Sequence, residues 1–77
     1  MNKSRKKEIQ KILDEIAPLR ERLGAIKEEE EEHRDNIPEN LQESERYEKA
    51  DMACENLYSA IDSLEDVSST LEEIIEE

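Results

Sequence analysis

The sequence predicts an all-α protein, an antiparallel hairpin of two long helices that assembles into a homo-oligomeric helical bundle. Apolar residues recur at spacings of three and four in two stretches, which keeps them on one face of each helix. A proline-containing segment separates the two stretches. Basic residues cluster near the start, whereas residues 50–77 contain nine acidic residues and no basic one. These charges lie side by side only if the second helix runs back along the first.

The first helix is predicted over about residues 3–34. Its apolar stripe is formed by Ile9, Ile12, Ile16, Leu19, Leu23 and Ile26. Glu30 and His33 continue the same positions in polar form. Pro18 lacks a backbone donor and crowds the preceding turn, so it either kinks this helix or breaks it and opens a separate helix.

Residues 35–43 form the predicted connection, because Pro38 forces the residue before it away from helical geometry. A short turn at residues 38–42 is expected within it. Ser44 is the predicted N-cap of the second helix, with Glu45 and Glu48 near the positive end of the helix dipole. The second helix is therefore predicted over about residues 44–76.

The second helix carries three apolar columns, more than one neighbouring helix covers. The excess column is the predicted oligomer interface: Ala53, Ala60, Val67 and Ile74. A chain of 77 residues buries only a modest core alone, which also favours self-association. If Arg34 lies level with Ser44, the hairpin places Ile16 opposite Ile61 or Asp62, and Leu23 near Cys54. Residues 3–11 are then expected beside residues 68–77 of the same or a symmetry-related chain.

Composition points to binding rather than catalysis. Aromatic residues make up 3% of the chain, with no Phe or Trp, and the single glycine rules out a glycine-rich phosphate loop. The net charge of −12 repels nucleic-acid phosphate and anionic lipid, so direct binding of nucleic acid or membrane is not expected. A charged partner is expected to be a basic host protein. The lone Cys54 and the absence of a signal-peptide pattern predict a cytoplasmic protein.

Two groups resemble chemical sites but are interpreted as structural. Glu30 and His33 have the spacing that helical bundles use to hold two metal ions. The facing segment lacks further carboxylates, and residues 28–32 are a run of glutamates, so no metal or other cofactor is predicted. Cys54 lies on the apolar face and is expected to be a buried, inert thiol.

The connection and its surroundings are the candidate site for a small anionic ligand or a partner. The residues proposed for it are Arg34, Asn36, Asn40, Arg46, Tyr47 and Lys49. Cationic groups and one aromatic ring near a rigid turn suit a nucleotide-like anion. The alternative is that these residues only cap helices and solubilise the turn.

The string from Asn36 to Tyr47, NIPENLQESERY, followed by an acidic helix rich in Ala, Leu and Ile, resembles small uncharacterised proteins of phages and mobile elements of Gram-positive and gut bacteria. The resemblance covers roughly residues 19–75. It implies an accessory factor of the anti-defence type that blocks or sequesters a host component. Three alternatives remain open: an acidic nucleic-acid mimic, an oligomeric sponge for a nucleotide-like ligand, and a structural coiled-coil protein.

Overall fold

The computed structural model describes residues 1–41 and 44–77, and these form an antiparallel helical hairpin. Helix α1 (Lys3–Asp35) is followed by a short 3₁₀ turn (Glu39–Leu41) and by helix α2 (Glu45–Glu76). The hairpin measures 59 × 16 × 13 Å, so it is only two helices thick. The predicted helices over 3–34 and 44–76 differ from α1 and α2 by one residue at one end each. Gln42 and Glu43, at the end of the predicted connection, lie outside the described residues.

Side chains cap the start of both helices. The Ser44 hydroxyl accepts a hydrogen bond from the backbone N–H of Tyr47 at 3.3 Å, which confirms the predicted N-cap of α2. The Asn2 side chain accepts one from the N–H of Arg5 at 2.8 Å, a cap that the sequence analysis missed. Each cap satisfies a backbone donor that the first helical turn leaves free.

Helix α1 runs without interruption through Pro18, so the alternative of a broken helix is wrong. Pro18 and Asp14 are both exposed. The Asp14 carbonyl loses its helical donor to the proline. A bend at Pro18 stays a prediction.

One seam of side chains joins α1 to α2, and its members are all buried or half-buried. Positions on both helices recur at alternating spacings of three and four, as in a coiled coil. On α1 they are Ile9, Leu13, Ile16, Arg20, Leu23, Lys27, Glu30 and Arg34. On α2 they are Tyr47, Ala50, Cys54, Leu57, Ile61, Leu64, Ser68, Leu71 and Ile75.

This seam corrects the predicted stripe of α1. Ile12, Leu19 and Ile26 are 46%, 46% and 49% exposed and lie outside the seam. The seam positions predicted for these three residues are occupied by Leu13, Arg20 and Lys27, each one residue later in the chain. Arginine and lysine occupy such positions because their aliphatic stems cover apolar surface while the charged ends reach water.

The register of the hairpin is one heptad longer than predicted. Arg20 pairs with Glu65 and Arg34 pairs with Asp51, so Ile16 lies at the level of Ser68 rather than Ile61. The predicted register assumed that the chain reverses directly after Arg34. Instead, Ile37 continues the seam and is only 3% exposed, so the turn closes beyond it.

The longer register also corrects the predicted position of the N-terminal basic cluster. Residues 3–7 extend past the end of α2, so only residues 8–11 of the predicted segment lie beside the end of α2 in the same chain. Contact with a symmetry-related chain stays a prediction. Lys11, the last basic residue of the cluster, pairs with Glu8 of its own helix at 3.1 Å. The ion pairs between α1 and α2 are instead Arg20–Glu65 and Arg34–Asp51.

The core of the hairpin is shallow. Among the described residues, five are buried: Ile16, Ile37, Ala50, Cys54 and Ser68. None of these is less than 2% exposed. Within the described part of the chain, neither helix has a stretch that is long and apolar enough to cross a membrane. A seam this thin removes little apolar surface from water for a chain that must order two long helices.

Candidate interaction surfaces

The seam divides the hairpin into two flanks, and the first, called here the ion-pair flank, is polar. Arg20 Nη2 lies 2.6 Å from Glu65 Oε1, and Arg34 Nη1 lies 3.0 Å from Asp51 Oδ1. Between them, Lys27 Nζ is 5.6 Å from the centroid of the Tyr58 ring, a cation–π contact. These contacts repeat at heptad intervals along both helices and fix the register of the hairpin.

A groove of about 480 Å³ opens on the ion-pair flank. Its lining residues are Lys27, Glu31, Arg34, Cys54, Glu55, Tyr58 and Ser59. The cations are already engaged: Lys27 pairs with Glu31 at 3.4 Å, and Arg34 pairs with Asp35 at 3.1 Å as well as with Asp51. Mixed charges and mutual pairing leave this groove without a free cationic centre for an anion.

Cys54 forms part of this groove and behaves as a protonated thiol. Burial raises the pKa of Cys54 above its ordinary value. The positive charge of Arg34 lowers the same pKa, whereas Glu30, Glu31 and Asp51 raise it. Hydrogen bonds from Arg34 to Asp35 and Asp51 raise the pKa of the guanidinium, so its charge is permanent. The net rise at Cys54 keeps the thiolate, which is the reactive form, scarce at neutral pH.

The opposite side of the hairpin is called here the apolar flank. On α2, the residues of the ion-pair flank (Asp51, Tyr58 and Glu65) follow seam positions, so residues that precede seam positions face the other way. On α1, Gln10 and Ala17 line a groove on the ion-pair flank. The residues on the other side of the α1 seam positions therefore lie on the apolar flank. The apolar flank consists of Ile12, Leu19, Ile26, Ala53, Ala60, Val67 and Ile74.

The column predicted as the oligomer interface thus lies outside the hairpin seam. Val67 is 46% exposed, Ala60 is exposed, and Ala53 and Ile74 are half-buried. Ile12, Leu19 and Ile26 lie beside this column, whereas the sequence predicts them in the seam with α2. Heptad-spaced cations at Arg20, Lys27 and Arg34 were the available signal that a different set of residues forms the seam.

The residues proposed for the turn site do not converge. Arg34 is directed into the ion-pair flank, with its side chain 23% exposed and bound to two carboxylates. Arg46 and Lys49 are exposed on the other side of α2, and Lys49 pairs with Glu45 at 3.1 Å. The three cations therefore do not face a common point.

The remaining members of the predicted turn site have structural positions. Asn36 is the C-cap of α1, where its backbone N–H donates to the carbonyl of Glu32 at 3.0 Å. Asn40 lies in the 3₁₀ turn, and Tyr47 is half-buried at the start of the seam. Asn36 therefore lies at a cap and Tyr47 in the seam, while Asn40 is exposed. The turn site stays a prediction.

Glu30 and His33 diverge as well. Glu30 occupies a seam position, whereas His33 is exposed one column away. Across residues 1–41 and 44–77, no three side chains of His, Cys, Asp or Glu form a group that could hold a metal ion. The prediction that the protein uses no metal stays a prediction.

Comparison with known protein families, with curated proteins and with solved structures gives no match for this chain.

Proposed function

We propose that this chain is a non-enzymatic binding protein that works as a homo-oligomeric helical bundle. Its expected setting is that of a phage or mobile-element accessory factor, which blocks or sequesters a host component. Its expected location is the cytoplasm of the host cell. The observation that carries the binding role is the apolar flank.

The apolar flank is a poor solvent-facing surface for a protein of this composition. Charged residues make up 44% of the chain, yet the seven residues of the flank are apolar and fill every heptad position from Ile12 to Ile26 on α1 and from Ala53 to Ile74 on α2. Ile12, Leu19 and Ile26 would each gain about 1.5–3 kcal/mol from full burial, part of which the hairpin already provides. Contiguous exposed apolar residues bordered by polar ones mark interaction sites.

The shallow core supports an assembly rather than a lone hairpin. Two helices with a single seam are marginal in water, whereas four-helix bundles place two such seams around a shared centre. Covering the apolar flank would supply the burial that the hairpin lacks. The anti-defence setting rests on the resemblance of residues 36–47.

An acidic nucleic-acid mimic is the second candidate, and the outward surface of α2 favours it. Glu48, Glu55, Asp62 and Glu76 follow each other at heptad spacing, with a gap at Ser69, and all four are exposed. The spacing places carboxylates about 10 Å apart along one line. Such a line would occupy a basic groove of a nucleic-acid-binding enzyme by long-range attraction.

The test combines solution mass with partner capture. Light scattering at tens of micromolar is expected to give a multiple of the 9.0 kDa chain mass. A tagged chain passed through bacterial host lysate is expected to retain a discrete host component, identified by mass spectrometry. If the host component stays bound at high salt, the contact is apolar. If binding of the host component falls steeply as salt rises, the result favours the nucleic-acid mimic. A monomer with full helical circular dichroism contradicts the homo-oligomer.

A further inference from the structure

We infer that a second copy of this chain covers the apolar flank, with the α2 helices of the two copies packed antiparallel about a two-fold axis. This inference rests on the homo-oligomer proposed above and adds the geometry of its interface.

Helix α2 carries a second heptad pattern besides the seam. The residues at alternating spacings of three and four on its apolar side are Ala53, Asn56, Ala60, Ser63, Val67, Thr70 and Ile74. They are called here the uncharged strip, because none of them is ionisable, although nearly half of the chain is charged. A helix that presents two heptad patterns contacts two helices, and α1 occupies only the first.

The small side chains of the uncharged strip suit close contact between two helices. Ala60 and Ser63 lie at its centre, where they permit a short distance between helix axes, and Ile74 lies near one end. Asn56, Ser63 and Thr70 are exposed in the hairpin. Their side chains supply donors and acceptors for hydrogen bonds across a two-fold axis. If Ala60 of one copy faces Ser63 of the other, then Ala53 faces Thr70.

The charges at the two ends of the strip select the antiparallel orientation. The only basic residues of α2, Arg46 and Lys49, precede the strip, and Glu73 and Glu77 lie at its other end. Antiparallel packing places Arg46 of one copy beside Glu77 of the other. Parallel packing would place the glutamates of both copies together, and like charges at such an interface are unfavourable.

Charged residues also disfavour packing of α2 of one copy on α1 of the other. On α1, the column beside Ile12, Leu19 and Ile26 contains Glu8, Glu15, Arg22 and Glu29. Centring α1 on the uncharged strip would remove these charges from water without opposite partners on the strip. Two uncharged strips facing each other avoid this cost and leave the apolar residues of α1 to close the sides of a four-helix bundle.

Cysteine cross-linking tests the geometry in the full-length chain, with Cys54→Ser as the background. Chains carrying Ala53→Cys and chains carrying Thr70→Cys, one of them extended by a tag, are mixed, unfolded, refolded together and oxidised. The expected dominant product joins position 53 to position 70 and exceeds either same-position product several-fold. In the antiparallel arrangement, two copies of position 53 lie about 25 Å apart, too far for a disulfide. Glu55→Cys, outside the strip, measures collisional cross-linking.

Each outcome decides the inference. Dominant same-position products at 53 and at 70 would show parallel helices and overturn the geometry while leaving the homo-oligomer standing. Cross-linking of 53 to 70 no greater than the Glu55→Cys background, in a protein that light scattering shows to be oligomeric, would place the contact on another surface. The same background level in a monomeric protein would overturn both the geometry and the homo-oligomer.

Discussion

The guanidinium of Arg20 on α1 lies 2.6 Å from the carboxylate of Glu65 on α2, while the Nε atom of the same guanidinium is buried without a hydrogen-bond partner. The pair is partly exposed, with side chains 34% and 51% accessible, so it contributes at most about 1 kcal/mol. A buried donor without a partner costs about 1–3 kcal/mol. Arg20 therefore sets the register more than it stabilises the hairpin.

Replacing Arg20 with leucine is expected to raise the free energy of unfolding by about 1 kcal/mol, because it removes the unpartnered Nε and fills the seam with apolar volume. Glu65→Gln, which breaks the pair but keeps the buried guanidinium, is expected to lower it slightly. Urea unfolding followed by circular dichroism measures both. A lower midpoint for Arg20→Leu than for the wild type would show that the ion pair outweighs the unpartnered donor.

The helices and the Ser44 cap were predictable because periodicity and capping are local properties of the sequence. The hairpin was predictable from the proline-containing connection between the two apolar stretches. The partner face of α1 was not. Ile12, Leu19 and Ile26 form as regular a stripe as the true seam, and apolarity alone does not show that the stems of Arg20 and Lys27 take the inner positions. A helix in an oligomer can contact more than one neighbouring helix. An apolar stripe therefore predicts that its residues are buried but does not identify the helix that buries them.

The predicted register was wrong because Ile37 was assigned to the loop rather than to the seam. This residue was assigned to the loop because Pro38 follows it, yet it is 3% exposed and ends the seam. Ile37→Ala is expected to lower the free energy of unfolding by about 2–4 kcal/mol. Leu41→Ala, at a side chain 43% exposed in the same turn, is the matched control and is expected to change it much less. Chemical denaturation of both variants measures the difference, and equal effects would show that Ile37 does not close the core.

Burial of Cys54 predicts a loss of stability at alkaline pH. The folded thiol has a pKa above its ordinary value of 9.0, so between the unfolded and folded pKa values the folded chain holds a proton that the unfolded chain has released. The free energy of unfolding is therefore unaffected by this thiol below about pH 9, and it falls as the pH rises further. Cys54→Ala lacks the thiol, so its unfolding midpoint is expected to fall less between pH 8 and pH 10 than that of the wild type. Parallel curves for the two proteins would contradict the raised pKa.

Val67→Glu is expected to weaken self-association, because it places a charge in the middle of the apolar flank. Tyr58→Glu is the matched control, since Tyr58 is 63% exposed but lies on the ion-pair flank. Analytical ultracentrifugation over a range of concentrations is expected to show a higher dissociation constant for Val67→Glu only. Equal association of both variants and the wild type would remove the apolar flank from the interface.

Charge reversal at the ends of the uncharged strip is expected to create partners that prefer each other to themselves. One variant carries Arg46→Glu and Lys49→Glu, and the other carries Glu73→Lys and Glu77→Lys. In an antiparallel pair, each variant alone brings like charges together at both ends, whereas the mixture restores opposite charges at both. Exposed pairs contribute up to about 1 kcal/mol each, so the mixed dimer is expected to bind tenfold or more tightly than either self-dimer. Native mass spectrometry of the refolded mixture measures the ratio. The preference is expected to shrink at high salt, because the end residues are solvent-exposed and screened. If the mixed dimer and the two self-dimers form in statistical proportions at low salt, the two ends of the uncharged strip do not meet in the dimer. Attraction between them then does not orient the two copies.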